Sequence, residues 1–128
     1  MKRSRANKLV LVIDDNLLVL QATESLLRSW GCSVVTAESC SDAIAKLSKI
    51  RQRPDLIVCD YRLPRGPNGI DAIETLRGAS QIPALLVSAD PTLPECNDAR
   101  GYRLLHKPVN AATFRAMLID ASVIGPAK

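Results

Sequence analysis

Aromatic residues are scarce in this chain: one Trp, two Tyr and one Phe among 128 residues. The interior must therefore be aliphatic, and stacking of nucleic-acid bases on aromatic side chains is not an expected role. None of the four cysteines, Cys32, Cys40, Cys59 and Cys96, belongs to a Cys-x-x-Cys pair, which excludes zinc-ribbon and dithiol redox motifs. Free thiols in a reducing cytoplasm fit instead, with Cys59 a small core residue. No run approaches transmembrane length. The opening MKRSRANKLVLVID returns to charge after five apolar residues, unlike a secretory signal. Neither nucleotide-binding glycine motif occurs, Gly-x-x-x-x-Gly-Lys-Ser/Thr or Gly-x-Gly-x-x-Gly. Internal repeats and low-complexity stretches are also missing.

What remains is an ordinary globular composition, 47% apolar and 23% charged, of a length that suits one core. Much of the net charge of +4 comes from Lys2, Arg3, Arg5 and Lys8. Residues 1–7 are expected to form a basic, frayed tail, 8–122 the domain, and 123–128 a C-terminal tail or linker marked by Gly125 and Pro126.

Five short apolar runs recur: LVLVI (9–13), CSVVTA (32–37), DLIVC (55–59), ALLVS (84–88) and YRLLH (102–106). Most are continuous rather than alternating, the pattern of parallel strands covered on both faces. Helical patterns lie between them. At 100° per residue, Val19, Leu20, Ala22, Thr23, Leu26, Leu27 and Trp30 share one arc, with Gln21, Glu24, Ser25 and Arg28 opposite, and Gly31 closes that helix. A second pattern carries Ile44, Leu47 and Ile50, with Ser41 as its expected N-cap. A third carries Ile70, Ile73 and Leu76 behind Asn68. A last one carries Phe114, Met117, Leu118 and Ala121 behind Asn110. The fourth connection contains Pro91 and Pro94 and predicts at most a short helix. Repeated β-α alternation implies an open, doubly wound parallel sheet with right-handed crossovers.

In such sheets ligands bind beyond the carboxyl ends of the strands. Asp14 and Asp15 follow the first strand, the third ends at Asp60, Ser88 closes the fourth, and Lys107 follows the fifth. Three carboxylates at one edge repel one another and coexist best around a cation. All-oxygen ligands suit Mg²⁺, or Mn²⁺ in its place. Lys107 can act as a point charge on a phosphoryl group and Ser88 can donate a hydrogen bond to it. The arrangement suggests Asp60 as a nucleophile forming an aspartyl phosphate. Each residue also has a plainer reading: Asp14 as a helix N-cap, Asp60 as an Asx-turn residue, Ser88 as a strand-end turn residue, His106 as a partly exposed strand residue.

The pieces VLVIDDN, IVCDYRLP, LLVSAD and LLHKPV, in this order at strand ends, resemble the receiver domain of two-component response regulators, over about residues 8 to 121. The resemblance implies a flavodoxin-like (βα)5 sheet of order 2-1-3-4-5, with a short or irregular fourth helix. It also implies that Asp14, Asp15, Asp60 and the backbone carbonyl of Arg62 hold the metal, that Asp60 is phosphorylated, that Ser88 and Lys107 engage the phosphoryl group, and that the Lys107–Pro108 bond is cis. The implied donor is a phosphohistidine on a histidine kinase or a histidine phosphotransfer domain. The receiver assists its own phosphorylation and slow dephosphorylation and is otherwise not an enzyme. Neither nucleic acid nor membrane is an expected partner of this domain.

Four features depart from the common pattern. Ser88 stands where Thr is frequent. Leu104 occupies a position often aromatic, which places aromatic-rotamer signalling in doubt. The segment from Ser88 to Lys107 is short, leaving at most a weak homodimer through that face. Arg62 and Asp90 each lie two residues beyond a site residue, and an ion pair between them across the mouth is expected to restrict hydrolytic water. The loop PRGPNGI, one residue longer between its proline and glycine than the common version, is together with DYRLP, the Ser-Ala-Asp run and YRLLHKPV similar to receivers attached to hybrid sensor histidine kinases. Two alternatives stand beside this reading: a pseudo-receiver serving only as a protein-binding module, and an aspartate-nucleophile phosphatase of the haloacid-dehalogenase type. The phosphatase requires a second Asp where Arg62 stands.

Overall fold

The computed structural model describes residues 8–63, 68–78, 81–89 and 102–125. Nine elements follow in order: β1 (Leu9–Ile13), α1 (Leu17–Ser29), β2 (Ser33–Ala37), α2 (Cys40–Ile50), β3 (Leu56–Asp60), α3 (Gly69–Arg77), β4 (Ala84–Ser88), β5 (Tyr102–His106) and α4 (Ala111–Asp120). The five strands form one parallel sheet in the order β2-β1-β3-β4-β5. This is the flavodoxin-like arrangement expected from the sequence. The expected short helix of the fourth crossover falls outside the described residues, as do Asp90 and Cys96.

The continuous apolar runs are explained by burial on both sides of the sheet. Leu11, Ile13, Ile57, Cys59, Leu86 and Leu104 face a core completed by Ala43, Ala72 and Ile73 of α2 and α3. Val10, Val12, Val58, Leu85, Val87 and Leu105 face the other way, onto Leu20 and Leu27 of α1 and Phe114 and Leu118 of α4. Neighbours along each strand thus enter different cores, and neither core tolerates a polar residue in the run. Trp30 is partly buried and meets Phe114 edge to face at a ring-centroid distance of 5.8 Å.

Helix ends follow local chemistry. The side chains of Asn16, Asn68 and Asn110 cap α1, α3 and α4 by accepting backbone N–H bonds. In α2 the cap is Ser39, not Ser41: the Ser39 hydroxyl accepts from the Asp42 N–H at 3.1 Å, and the helix already begins at Cys40. The buried stripe of α2 shifts accordingly to Cys40 and Ala43, with Leu47 partly buried. Ile44 and Ile50, expected on the inner face, are 44% and 46% exposed. Ala22 shares the expected arc of α1 but is exposed, because it lines a cavity with Val19, Thr23 and Leu26.

Two helices end in the same six-residue closure. After α1, Cys32 N–H reaches Leu27 O and Gly31 N–H reaches Arg28 O, with Gly31 at φ 90°. After α4, Val123 N–H reaches Leu118 O and Ser122 N–H reaches Ile119 O, with Ser122 at φ 62°. This closure brings the residue after the left-handed one back onto the helix. Val123 is therefore buried and Ile124 packs beside it, although the sequence reading ends the domain at 122. Ser122 adopts a backbone conformation that glycine takes at no steric cost. Ser122→Gly is expected to raise stability by ~0.5 kcal/mol and Val123→Ala to lower it by ~1–2 kcal/mol, both read from the midpoint of urea unfolding.

Candidate functional site

Parallel strands in this order deliver the ends of β1, β3, β4 and β5 to one edge. β3 is central, flanked by β1 and β4, and places Asp60 on the last rung of its ladder, opposite Val87. Tyr61 N–H continues that ladder to Val87 O at 2.8 Å, so the backbone leaving Asp60 is still held by the sheet. Asp14 N–H is bound to Ala37 O at 3.1 Å, tying the end of β1 to β2. Lys107 N–H donates to Ser88 O at 2.8 Å and ties the end of β5 to β4. Each chemically active residue is thus anchored through its own backbone or an adjoining one.

The side chains converge. Asp14, Asp15 and Asp60 each offer a carboxylate oxygen, and these oxygens all lie within 4.8 Å of one another. Asp14 and Asp60 are buried, whereas Asp15 is exposed. The ammonium of Lys107 stands 3.5 Å from Asp60 Oδ1 and 3.8 Å from Asp14 Oδ2, and its side chain is only partly exposed. One cation is therefore shared by two buried carboxylates, with a third close by.

Burial pushes the Asp14 carboxyl above its ordinary value, and the neighbouring Asp15 adds to this. The Asn16 N–H, 2.9 Å from Asp14 Oδ1, and the Lys107 charge act the other way. Burial also raises Asp60, helped by the negative charge of Asp14 and opposed by Lys107 and the Arg62 backbone. Desolvation outweighs the single ammonium at both positions. A divalent cation would reverse that balance. The donor set, carboxylate oxygens from adjacent strand ends with one open side, fits Mg²⁺ or Mn²⁺. Asp14, Asp15 and Asp60 are the residues that would hold it.

The remaining expected residues lie around this centre. Ser88, the last residue of β4, is buried beside His106 in register, and His106 is exposed. Pro108 is exposed and joined to Lys107 by a cis peptide bond. Leu104 is buried in the α2–α3 core rather than standing free at the surface. Arg62 is exposed next to the site; its expected partner Asp90 lies outside the described residues. Cys59, one residue before Asp60, is buried, and burial together with the Asp60 charge drives its thiol far above the ordinary range. That makes it a packing residue with no thiolate to offer.

Sequence reasoning missed two contributors. Asn16 caps α1 with its side chain and also braces Asp14 with its N–H. Its position directly after the acid pair was the available signal. The second is a cavity of about 620 Å³ that opens beside the carboxylates and runs between α1 and α4, lined by Val19, Thr23, Leu26, Leu105 and Phe114 among others. A one-dimensional apolar pattern carries no sign of such a gap.

A family model, the response regulator receiver domain, matches residues 10–119. The two-component response regulator ARR7 of Arabidopsis thaliana is 31% identical over 121 residues, covering 83% of this chain and 58% of that protein. The regulator of RpoS of Escherichia coli is 33% identical over 119 residues, covering 85% of this chain and 33% of that protein. The chain thus spans less than two thirds of the length of either relative. Among solved structures, the chemotaxis response regulator CheY4 of Vibrio cholerae superposes with a TM-score of 0.75 at 30% identity, covering 90% of this chain and 98% of that one. The receiver domain of the Erythrobacter litoralis response regulator PhyR superposes with a TM-score of 0.73 at 26% identity, covering 96% of each chain. The chain belongs to the response regulator receiver domain family.

Proposed function

We propose that this domain accepts a phosphoryl group on Asp60 from a phosphohistidine of a histidine kinase or phosphotransfer domain, and later loses it to water. The observation that carries the reading is the shared ammonium: Lys107 within 3.5 Å of Asp60 and 3.8 Å of Asp14, beside a three-carboxylate cluster. Such a site is charged to receive a cation and a phosphoryl group together.

In the transfer, an Asp60 carboxylate oxygen attacks phosphorus and the P–N bond to the donor imidazole breaks, with the electron pair leaving on nitrogen. The sheet holds Asp60 at a fixed depth, so the nucleophile is positioned before the donor arrives. Lys107 follows the developing charge on the phosphoryl oxygens. Ser88 supplies a hydroxyl at the end of the adjacent strand. The Arg62 carbonyl, just past Asp60, would join Asp14, Asp15 and Asp60 as an oxygen ligand of the cation. When bound, Mg²⁺ neutralises the phosphoryl oxygens during transfer. Dephosphorylation returns the carboxylate when water attacks phosphorus and the acyl-phosphate P–O bond breaks. The Arg62–Asp90 pair is the proposed restraint on that water.

The phosphorylated site biases a two-state surface read by other proteins. With Leu104 aliphatic and buried, that surface changes without an aromatic rotamer at this position. We further place the domain in the cytoplasm and among receivers attached to hybrid kinases, on the motif similarities described above. Among the described residues, no helix is long and apolar enough to cross a membrane.

Incubation with Mg²⁺ and acetyl phosphate is expected to add a single phosphoryl group by intact mass, with no adduct in Asp60→Ala. Lys107→Ala is expected to slow its formation at least tenfold, because the charge on the phosphoryl oxygens is then unmatched. An unmodified wild-type chain would favour a protein-binding module, and continuous turnover of added phosphate esters a phosphatase.

The same electrostatics set stability. In metal-free buffer at neutral pH, Asp60→Asn removes a buried charge whose pKa is raised in the fold, so the variant is expected to be more stable by about 1 kcal/mol, a few degrees in Tm. The folded wild type binds protons at higher pH than the unfolded chain, whose Asp value is near 3.8. Its deficit therefore shrinks as pH falls through the raised folded value. Saturating Mg²⁺ should reverse the order at neutral pH by raising the wild-type Tm more than that of the variant, as read by differential scanning calorimetry.

A further inference from the structure

Gly69 opens α3 nine residues after Asp60, and its surroundings leave no space for a side chain. A Cβ placed there would lie 2.5 Å from the Asp60 carbonyl oxygen, 2.8 Å from Tyr61 Cα and 2.9 Å from Leu86 Cδ2. The first two atoms are backbone and belong to the residues that carry the site. They cannot withdraw easily, because Asp60 is a rung of the β3–β4 ladder and Tyr61 N–H is bonded to Val87 O at 2.8 Å. Leu86 is a flexible side chain and can give.

Backbone conformation does not explain this glycine. Gly78, at the other end of the same helix, has φ 55° and open space around it, so its requirement is conformational. Gly69 has no positive φ and sits in a helix, where alanine is the better helix former. Its requirement is close approach. The contact is also bonded: Gly69 N–H donates to Tyr61 O at 2.8 Å. Arg62, whose carbonyl is the proposed metal ligand, directly follows Tyr61.

We infer that Gly69 is a positioning residue: by bringing the first turn of α3 directly onto the Asp60–Tyr61 backbone, it sets where the Asp60 carboxylate and the Arg62 carbonyl lie. The inference rests on the proposed metal and phosphoryl role of that site. A methyl group at position 69 must push either the helix and its loop away from the sheet or the Asp60–Tyr61 backbone out of the ladder. Either displacement moves a ligand or the nucleophile by a fraction of an ångström, and a shift of about 1 Å at a reacting centre costs on the order of a hundredfold in rate.

The test compares two alanines in one helix. Gly78→Ala strains a left-handed position away from Asp60, whereas Gly69→Ala fills the approach. Both are expected to lower Tm. At 10 °C, where circular dichroism shows both folded, only Gly69→Ala should weaken Mg²⁺ binding, by about tenfold in calorimetric titration, and slow phosphorylation by acetyl phosphate by at least as much. Equal Mg²⁺ affinity in Gly69→Ala and wild type overturns the inference, as does an equal loss in Gly78→Ala, which would mark general loosening of α3. Should Gly69→Ala not fold, wild-type NMR decides: Mg²⁺ should shift the Gly69 amide resonance and slow its hydrogen exchange while leaving the Gly78 amide unchanged. An unmoved Gly69 amide in a metal-bound protein overturns it. A wild type that binds no Mg²⁺ and takes up no phosphoryl group overturns the underlying functional reading instead.

Discussion

The arrangement of charge at one sheet edge governs this molecule: Asp14, Asp15 and Asp60 within 4.8 Å of one another, with Lys107 reaching the two buried members. Like charges so close, two of them buried, are held against both repulsion and desolvation. What holds them is the parallel sheet. Ladder bonds along β1, β3, β4 and β5 fix four strand ends, and each end is tied sideways as well, by Asp14 N–H to Ala37 O, Tyr61 N–H to Val87 O and Lys107 N–H to Ser88 O. The two apolar cores bear the cost, because neither face of the sheet can open without exposing a full layer of aliphatic side chains. The surplus negative charge is thus a property of the fold that a cation or a transferred group can act on.

The features legible in the sequence were those tied to periodicity and strand ends. Continuous runs such as Val10–Val12 and Leu85–Val87 reported burial on two faces, and the acid, hydroxyl and ammonium residues stood where those runs stopped. The misses occurred where a local pattern had more than one solution. Ser39 and Ser41 are both good cap residues two positions apart, and only the packing of Cys40 and Ala43 against the sheet selects Ser39. The face that packs carries Cys40, Ala43 and Leu47, which leaves Ile44 and Ile50 outward. Val123 was assigned to a tail because Gly125 and Pro126 follow it, but the left-handed turn at Ser122 returns it to Leu118. A serine in that conformation gives no compositional warning, whereas Gly31 in the equivalent turn after α1 does.

Gly69 shows a third kind of limit. In sequence it reads as a helix-start glycine behind an Asn cap, much like any loop glycine. Its meaning depends on Asp60 and Tyr61, whose backbone it meets only in the folded chain. Close backbone approach is a relation between two segments, and one-dimensional patterns contain only one of them.

The proposed phosphoacceptor role draws on the same geometry. Phosphorylation of Asp60, as proposed, would add negative charge to an edge where carboxylates already outnumber ammonium groups. A bound cation can neutralise part of that addition, and Lys107 must leave Asp14 or Asp60 to neutralise more. Its N–H is bonded to Ser88 O, so a demand on Lys107 is transmitted to the ends of both β4 and β5. The backbone at Asp60 is held on two sides, by Tyr61 N–H bonded to Val87 O and by the close approach of Gly69. In the proposed role, a site held this way would keep its own geometry while the surface around it changes.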